Sequence, residues 1–131
     1  MKKHSLLYRA FGVLIILGFL FIFASSFWDM RWFDSLMHFL GGLSSGLFAL
    51  WVWYSSGLFG KDSPTRKEVF ITAVFWVMFV GIGWEFFEYV NGIANPIGNY
   101  ALDTFNDVSA DFIGAVVAGI WAGSAAFYLH E

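Results

Sequence analysis

VFITAVFWVMFVGIGWEFFEY, residues 69–89, reads as a membrane span that ends in acid. From Val69 to Trp84 it carries no charged side chain, and then Glu85 and Glu88 arrive three residues apart. A bilayer-crossing helix needs roughly 20 mostly apolar residues, which this segment supplies. Three other stretches of similar character flank it. Together they predict an all-α integral membrane bundle of four transmembrane helices, at about residues 6–27, 35–54, 65–89 and 104–129, forming one domain over 1–131.

Composition supports this class. Of the 131 residues, 59% are hydrophobic, 22% aromatic and 13% charged. The charged share is about half of the roughly 25% found in soluble domains. The net charge of −3 argues against nucleic-acid binding, which needs a basic footprint. With no Cys there is no disulfide framework, thiolate metal site or thiol nucleophile. Lys2 and Lys3 ahead of the first apolar run resemble the start of a signal peptide. That run exceeds the usual h-region of roughly 7–15 residues, so a retained helix is expected.

The start of the third helix has two readings. Ser63 followed by Pro64 suits an N-cap with Pro in the first turn, and Thr65 with Glu68 suits a capping box. Orientation follows from the basic residues. Lys2, Lys3 and Arg9 lie at the N-terminus and Lys61, Arg66 and Lys67 in the second loop, against Arg31 alone in the first. The positive-inside rule then places both termini in the cytoplasm, in the inner membrane of the cell. Trp28 and Trp32 fit an outer aromatic belt, and Trp51, Trp53 and Tyr54 an inner one.

On this topology Asp62, Glu68 and Glu131 are cytoplasmic, and the other seven acids gather at the opposite face. Asp34 and His38 share a face of the second helix, Glu85 and Glu88 close the third, and Asp103, Asp107 and Asp111 line one face of the fourth. The same faces continue as Gly41, Gly42 and Ser45, as Gly81, and as Gly114, Ala115 and Ala118, small residues that let helices approach in lipid. Asp34, Asp103 and Asp107 also suit helix N-caps. Asp111 is too deep for that, and a helix C-terminus disfavours Glu85 and Glu88.

A charged residue at mid-bilayer costs roughly 2.5–3.5 kcal/mol, and no Lys or Arg lies in the apolar stretches 35–54, 69–89 or 108–129 to offset so many. Protonation, a water-filled vestibule or bound cations would each resolve this. Cations are the favoured reading. His38, Glu85, Glu88, Asp107 and Asp111 are the candidate ligands of one or two divalent ions, with Mg²⁺, Mn²⁺ or Ca²⁺ favoured over Zn²⁺ or Fe²⁺. Asp34 or Asp103 is then the candidate catalytic general base on a metal-bound water. His4 and His130 are terminal and expected to be solvated, Trp84 fits the belt or a site wall, and the uncharged loop 90–102 suits either a lid or a headgroup-level loop.

Taken in order, Asp34-x3-His38 with Gly41-Gly42, Trp84-Glu85-x2-Glu88, and Asp103-Thr104-x2-Asp107-x3-Asp111-x2-Gly114-Ala115 resemble the YjdF-like small bacterial membrane proteins. More distantly they resemble the VanZ-like proteins linked to glycopeptide-antibiotic resistance, whose patterns often place Asn at the position of Asp111 and Gln near Glu88. The likeness covers about residues 34–119. It implies a compact helical membrane protein and brings no established reaction.

Three functions fit the sequence. One is a metal-dependent hydrolase or transferase acting on a lipid-linked substrate at the outer leaflet. The second is a non-catalytic membrane subunit or envelope-stress factor whose acid and cation network locks the bundle. The third is proton or cation transport, for which four helices without an inverted repeat are few. The bilayer is the expected partner in each, and a homo-oligomer is compatible with all three.

Overall fold

The computed structural model describes residues 4–27, 30–59, 64–92 and 99–127. They form four helices in the order α1 (Ser5–Phe23), α2 (Arg31–Tyr54), α3 (Arg66–Asn91) and α4 (Tyr100–Phe127), with a short 3-10 turn at Ser25–Phe27. Among the described residues there is no strand, as the all-α reading expects. Lys2, Lys3, Trp28, Asp29, Lys61, Asp62, Ser63, His130 and Glu131, and residues 93–98 of the candidate lid, lie outside the described residues.

Two helices start about four residues earlier than expected, which separates the cap reading from the ligand reading. α2 starts at Arg31 with Met30 as its N-cap, so Asp34 lies inside the first turn and does not cap it. α4 starts at Tyr100, where the Asn99 side-chain oxygen accepts from Ala101 N at 2.9 Å. Asp103 is therefore also within a first turn, and Asp107 lies a turn further in. For α3 the capping box is the reading that forms. Thr65 accepts from Glu68 N, and the Glu68 carboxylate accepts from Thr65 N at 2.8 Å. The helix runs on to Asn91 and stops at Gly92, whose φ of +64° is the left-handed conformation that favours glycine.

α1, α2 and α3 are each long and apolar enough to cross a membrane. α4 is longer, at 28 residues, but its first three turns carry Asp103, Asp107 and Asp111, and Gly and Ala fill much of the rest. It runs beside α2 and α3, packing extensively on both. The exposed surface explains the environment. Phe11, Ile15, Phe19 and Ile22 form one exposed stripe on α1, and Ile71, Phe75, Phe79, Ile82 and Phe86 another on α3. Apolar patches of this extent are rare on soluble monomers, and in hydrocarbon they are the lipid-facing surface.

Inside, the bundle closes on small residues. Ala73, Ala115 and Ala118 are wholly buried, with Leu47 and Leu50. α2 and α4 make the tightest crossing. A Cβ on Gly42 would come within 2.5 Å of the Asp111 carbonyl oxygen, and one on Gly114 would strike the Phe39 carbonyl oxygen and Leu43 N. One on Gly46 would sit 2.9 Å from the Ala118 methyl. α1 packs chiefly along α2, where Ser44 Oγ donates to the Ala10 carbonyl at 3.0 Å. At the opposite end from the acids, the Arg9 guanidinium lies 4.9 Å from the Trp121 ring centre, and Tyr54 and Thr72 hydroxyls hydrogen-bond at 2.8 Å. These contacts fix the register of α1 against α4 and of α2 against α3.

Candidate functional site

The close α2–α4 crossing determines what its polar end can do. With no side chain on Gly42 or Gly114, α2 and α4 meet almost backbone to backbone, just inward of the acid-bearing turns of both helices. Asp34 and His38 therefore face Asp107 and Asp111 directly. One ligand atom each from Asp34, His38 and Asp107 lie within 4.8 Å of one another, close enough for one ion to reach all three. His38 Nε2 is 3.8 Å from Asp107 Oδ2, and Nδ1 is 3.5 Å from Asp111 Oδ2. The imidazole is thus held between two carboxylates of α4, one on each nitrogen.

α3 brings the third contribution. Its Gly81 leaves room for Asp111, because a Cβ there would come within 2.5 Å of Asp111 Oδ2. One turn on, Glu85 is 6% exposed. Its Oε2 accepts from Thr104 Oγ1 at 2.8 Å, while Oε1 is buried with no hydrogen-bond partner among the described residues. The Tyr100 hydroxyl also donates to the Glu85 carbonyl at 3.3 Å. Asp107 and Asp111 are buried to a similar degree, at 4% and 7% exposed. Burying three carboxylates this deeply is costly unless each is protonated, hydrogen-bonded or met by a cation.

Beside the cluster lies a cavity of about 560 Å³. Its lining combines the polar Asp34, His38, Glu88 and Asp111 with the apolar Leu17, Phe21, Met37, Val77 and Val80. It opens between α1 and α3 over the face of α2 that bears Gly41 and Ser45.

A family model described as "Predicted membrane protein (DUF2238)" matches residues 2–127. The chain belongs to this family. No curated protein and no solved structure matches it. The DUF2238 description agrees with the apolar belts of α1 and α3 and leaves the chemistry to be read from the residues.

The structure brings Asp34, His38, Asp107 and Asp111 together as one constellation. Asp34, read from sequence as a base, stands among the ligand atoms with His38 and Asp107. Glu85 sits one contact further out, tied to Thr104. Glu88 is half-buried on the cavity wall, and Asp103 is half-buried one turn before Asp107. Trp84 lines the same wall. Sequence reading missed the role of Thr104. Thr104 lies three residues before Asp107, on the acid-bearing face of α4, and that spacing was the available signal.

Proposed function

We propose that this DUF2238 protein is a metal-dependent membrane enzyme, a hydrolase or transferase acting on a lipid-linked substrate at the extracytoplasmic face. The observation that carries the reading is the Asp34–His38–Asp107 group, with Asp111 on the other nitrogen of the same imidazole. Metal-bound histidines characteristically donate their second ring N–H to a carboxylate, which fixes the tautomer and raises ligand basicity. With Nδ1–H directed at Asp111, Nε2 keeps its lone pair for an ion shared with Asp34 and Asp107. Two carboxylates and one imidazole suit Mn²⁺ or Mg²⁺, ions that keep positions open for water and substrate oxygens.

A divalent ion here would supply Lewis acidity and a water of lowered pKa. Asp103, one turn before Asp107 and half-buried, is then the candidate base for the proton of that water. Glu85 and Glu88 would tune the charge of the site from α3. The bias of basic residues supports an orientation with both termini in the cytoplasm, which places the cluster on the outer side of the inner membrane. The YjdF-like likeness agrees with the family and supplies no reaction, and the VanZ-like likeness is more distant still.

The test is turnover. Purified protein is mixed with phospholipid and polyisoprenyl-phosphate vesicles and Mn²⁺, and products are read by mass spectrometry. Cleaved or transferred lipid is expected from the wild type and from neither EDTA-treated protein nor Asp107→Asn. No product from either lipid class would remove the enzyme reading. The non-catalytic alternative rests on a different observation, the Glu85–Thr104 hydrogen bond and the flanked imidazole that together join α2, α3 and α4. That reading gives variants that alter melting and never turnover.

A further inference from the structure

The cavity between α1 and α3 is lined by two chemically different sets of side chains. Leu17 and Phe21 of α1 face Val77 and Val80 of α3, with Met37 beside them, and this length is apolar. Asp34, His38, Trp84 and Glu88 line the cavity as well, and Asp111 enters it beside Gly81. About 560 Å³ falls within the roughly 300–1,000 Å³ typical of small-ligand sites. Phe21, Val80 and Trp84 are each about half exposed, so the cavity opens sideways between two lipid-facing helices. An occupant can enter from the bilayer without leaving it.

Charge decides which lipid. Asp34, Glu88 and Asp111 line the cavity beside His38, and among the described residues no Lys or Arg lines it. One divalent ion bound by Asp34, His38 and Asp107 leaves Glu88 and Asp111 on the cavity wall. An anionic headgroup would meet repulsion and an ammonium attraction. Trp84 beside Glu88 adds an aromatic face of the kind that favours ammonium groups.

We infer that the α1–α3 cavity binds a lipid with an amine-bearing headgroup, its ammonium at Glu88 and Trp84 and one chain along Leu17, Phe21, Val77 and Val80. The inference deepens the proposed function by naming its substrate class. It rests on the substrate's being membrane-borne and does not require the metal.

The experiment is native mass spectrometry of detergent-purified protein in EDTA, titrated with phosphatidylethanolamine or phosphatidylglycerol of identical acyl chains. About tenfold tighter retention of phosphatidylethanolamine is expected, the scale of one charge-assisted contact. Glu88→Gln should remove most of that preference. Val80→Trp, at an exposed position where folding is little affected, should lower retention of both lipids by filling the groove. Equal or tighter retention of phosphatidylglycerol would overturn the proposal, as would a preference untouched by Glu88→Gln. A dimer that Val80→Trp converts to monomer would also overturn it, by assigning the groove to a second copy. Because the titration is run in EDTA, its outcome is independent of whether Mn²⁺ binds, and the two readings fail separately.

Discussion

Thr104 shows how one hydroxyl can support a site it does not belong to. Its hydrogen bond holds one oxygen of Glu85, a carboxylate 6% exposed whose other oxygen has no described partner. Thr104→Val keeps the shape and removes the donor. Leaving a buried charged group less satisfied costs about 1–3 kcal/mol, so a lower melting temperature is expected in detergent. Glu85→Gln made in the Thr104→Val background should recover part of the loss, because a neutral amide is cheaper to bury. Equal melting of Thr104→Val and wild type would show that the contact carries no weight. Much of this scale was legible in the sequence. Asp111, Glu85 and Glu88 stood out because neither capping nor the helix dipole explains an acid there. Asp34 was harder to place. A carboxylate near a helix start satisfies the capping rule and the ligand rule equally, and only the start of α2 at Arg31 separates them.

Among the helices, glycine spacing sets how closely the acids approach. Gly81 faces Asp111, whereas a Cβ on Gly83, two residues away, would meet nothing within 4 Å. Gly81→Ala is expected to displace the Asp111 carboxylate, destabilise the bundle by about 1–3 kcal/mol and weaken metal binding by loosening His38. Gly83→Ala should be neutral or stabilise by up to about 1 kcal/mol, because alanine is the better helix former. Thermal unfolding of the pair separates close approach from helix propensity, and similar melting would refute the packing described for α3 and α4. Sequence periodicity identified these small-residue faces. It could not say which glycine meets which backbone, since that depends on the depth at which two helices cross. Helix ends were less legible for a related reason. α4 begins four residues earlier than its charged motif suggests, because Asn99 satisfies its first turn and the uncharged segment 100–102 gives no signal of a boundary.

On the scale of the whole molecule, the sorting of charge gives an orientation that can be measured. The chain contains no Cys, so single cysteines can be introduced without a background. Ser63→Cys, in the basic loop, is expected to react with an impermeant maleimide only after cells are opened. Asn99→Cys, next to the acidic end, should react in intact cells. The reverse pattern would move the cluster to the cytoplasmic side and with it the proposed substrate leaflet. The membrane class itself was evident from composition, since 13% charged residues cannot cover a soluble surface of this size. The cavity between α1 and α3 was not, because α1 carries no acid and its place beside α2 follows only from packing.

The central claim is that Asp34, His38 and Asp107 hold a divalent cation, and Mn²⁺ titration followed by electron paramagnetic resonance tests it most directly. One Mn²⁺ per chain is expected, with nitrogen hyperfine coupling from the His38 imidazole. That coupling should vanish in His38→Gln, binding should be lost in Asp107→Asn, and Asp111→Asn should weaken affinity by about 10–100-fold through the second ring nitrogen. Binding well below one Mn²⁺ per chain, or a spectrum and affinity unchanged in both His38→Gln and Asp107→Asn, would contradict it.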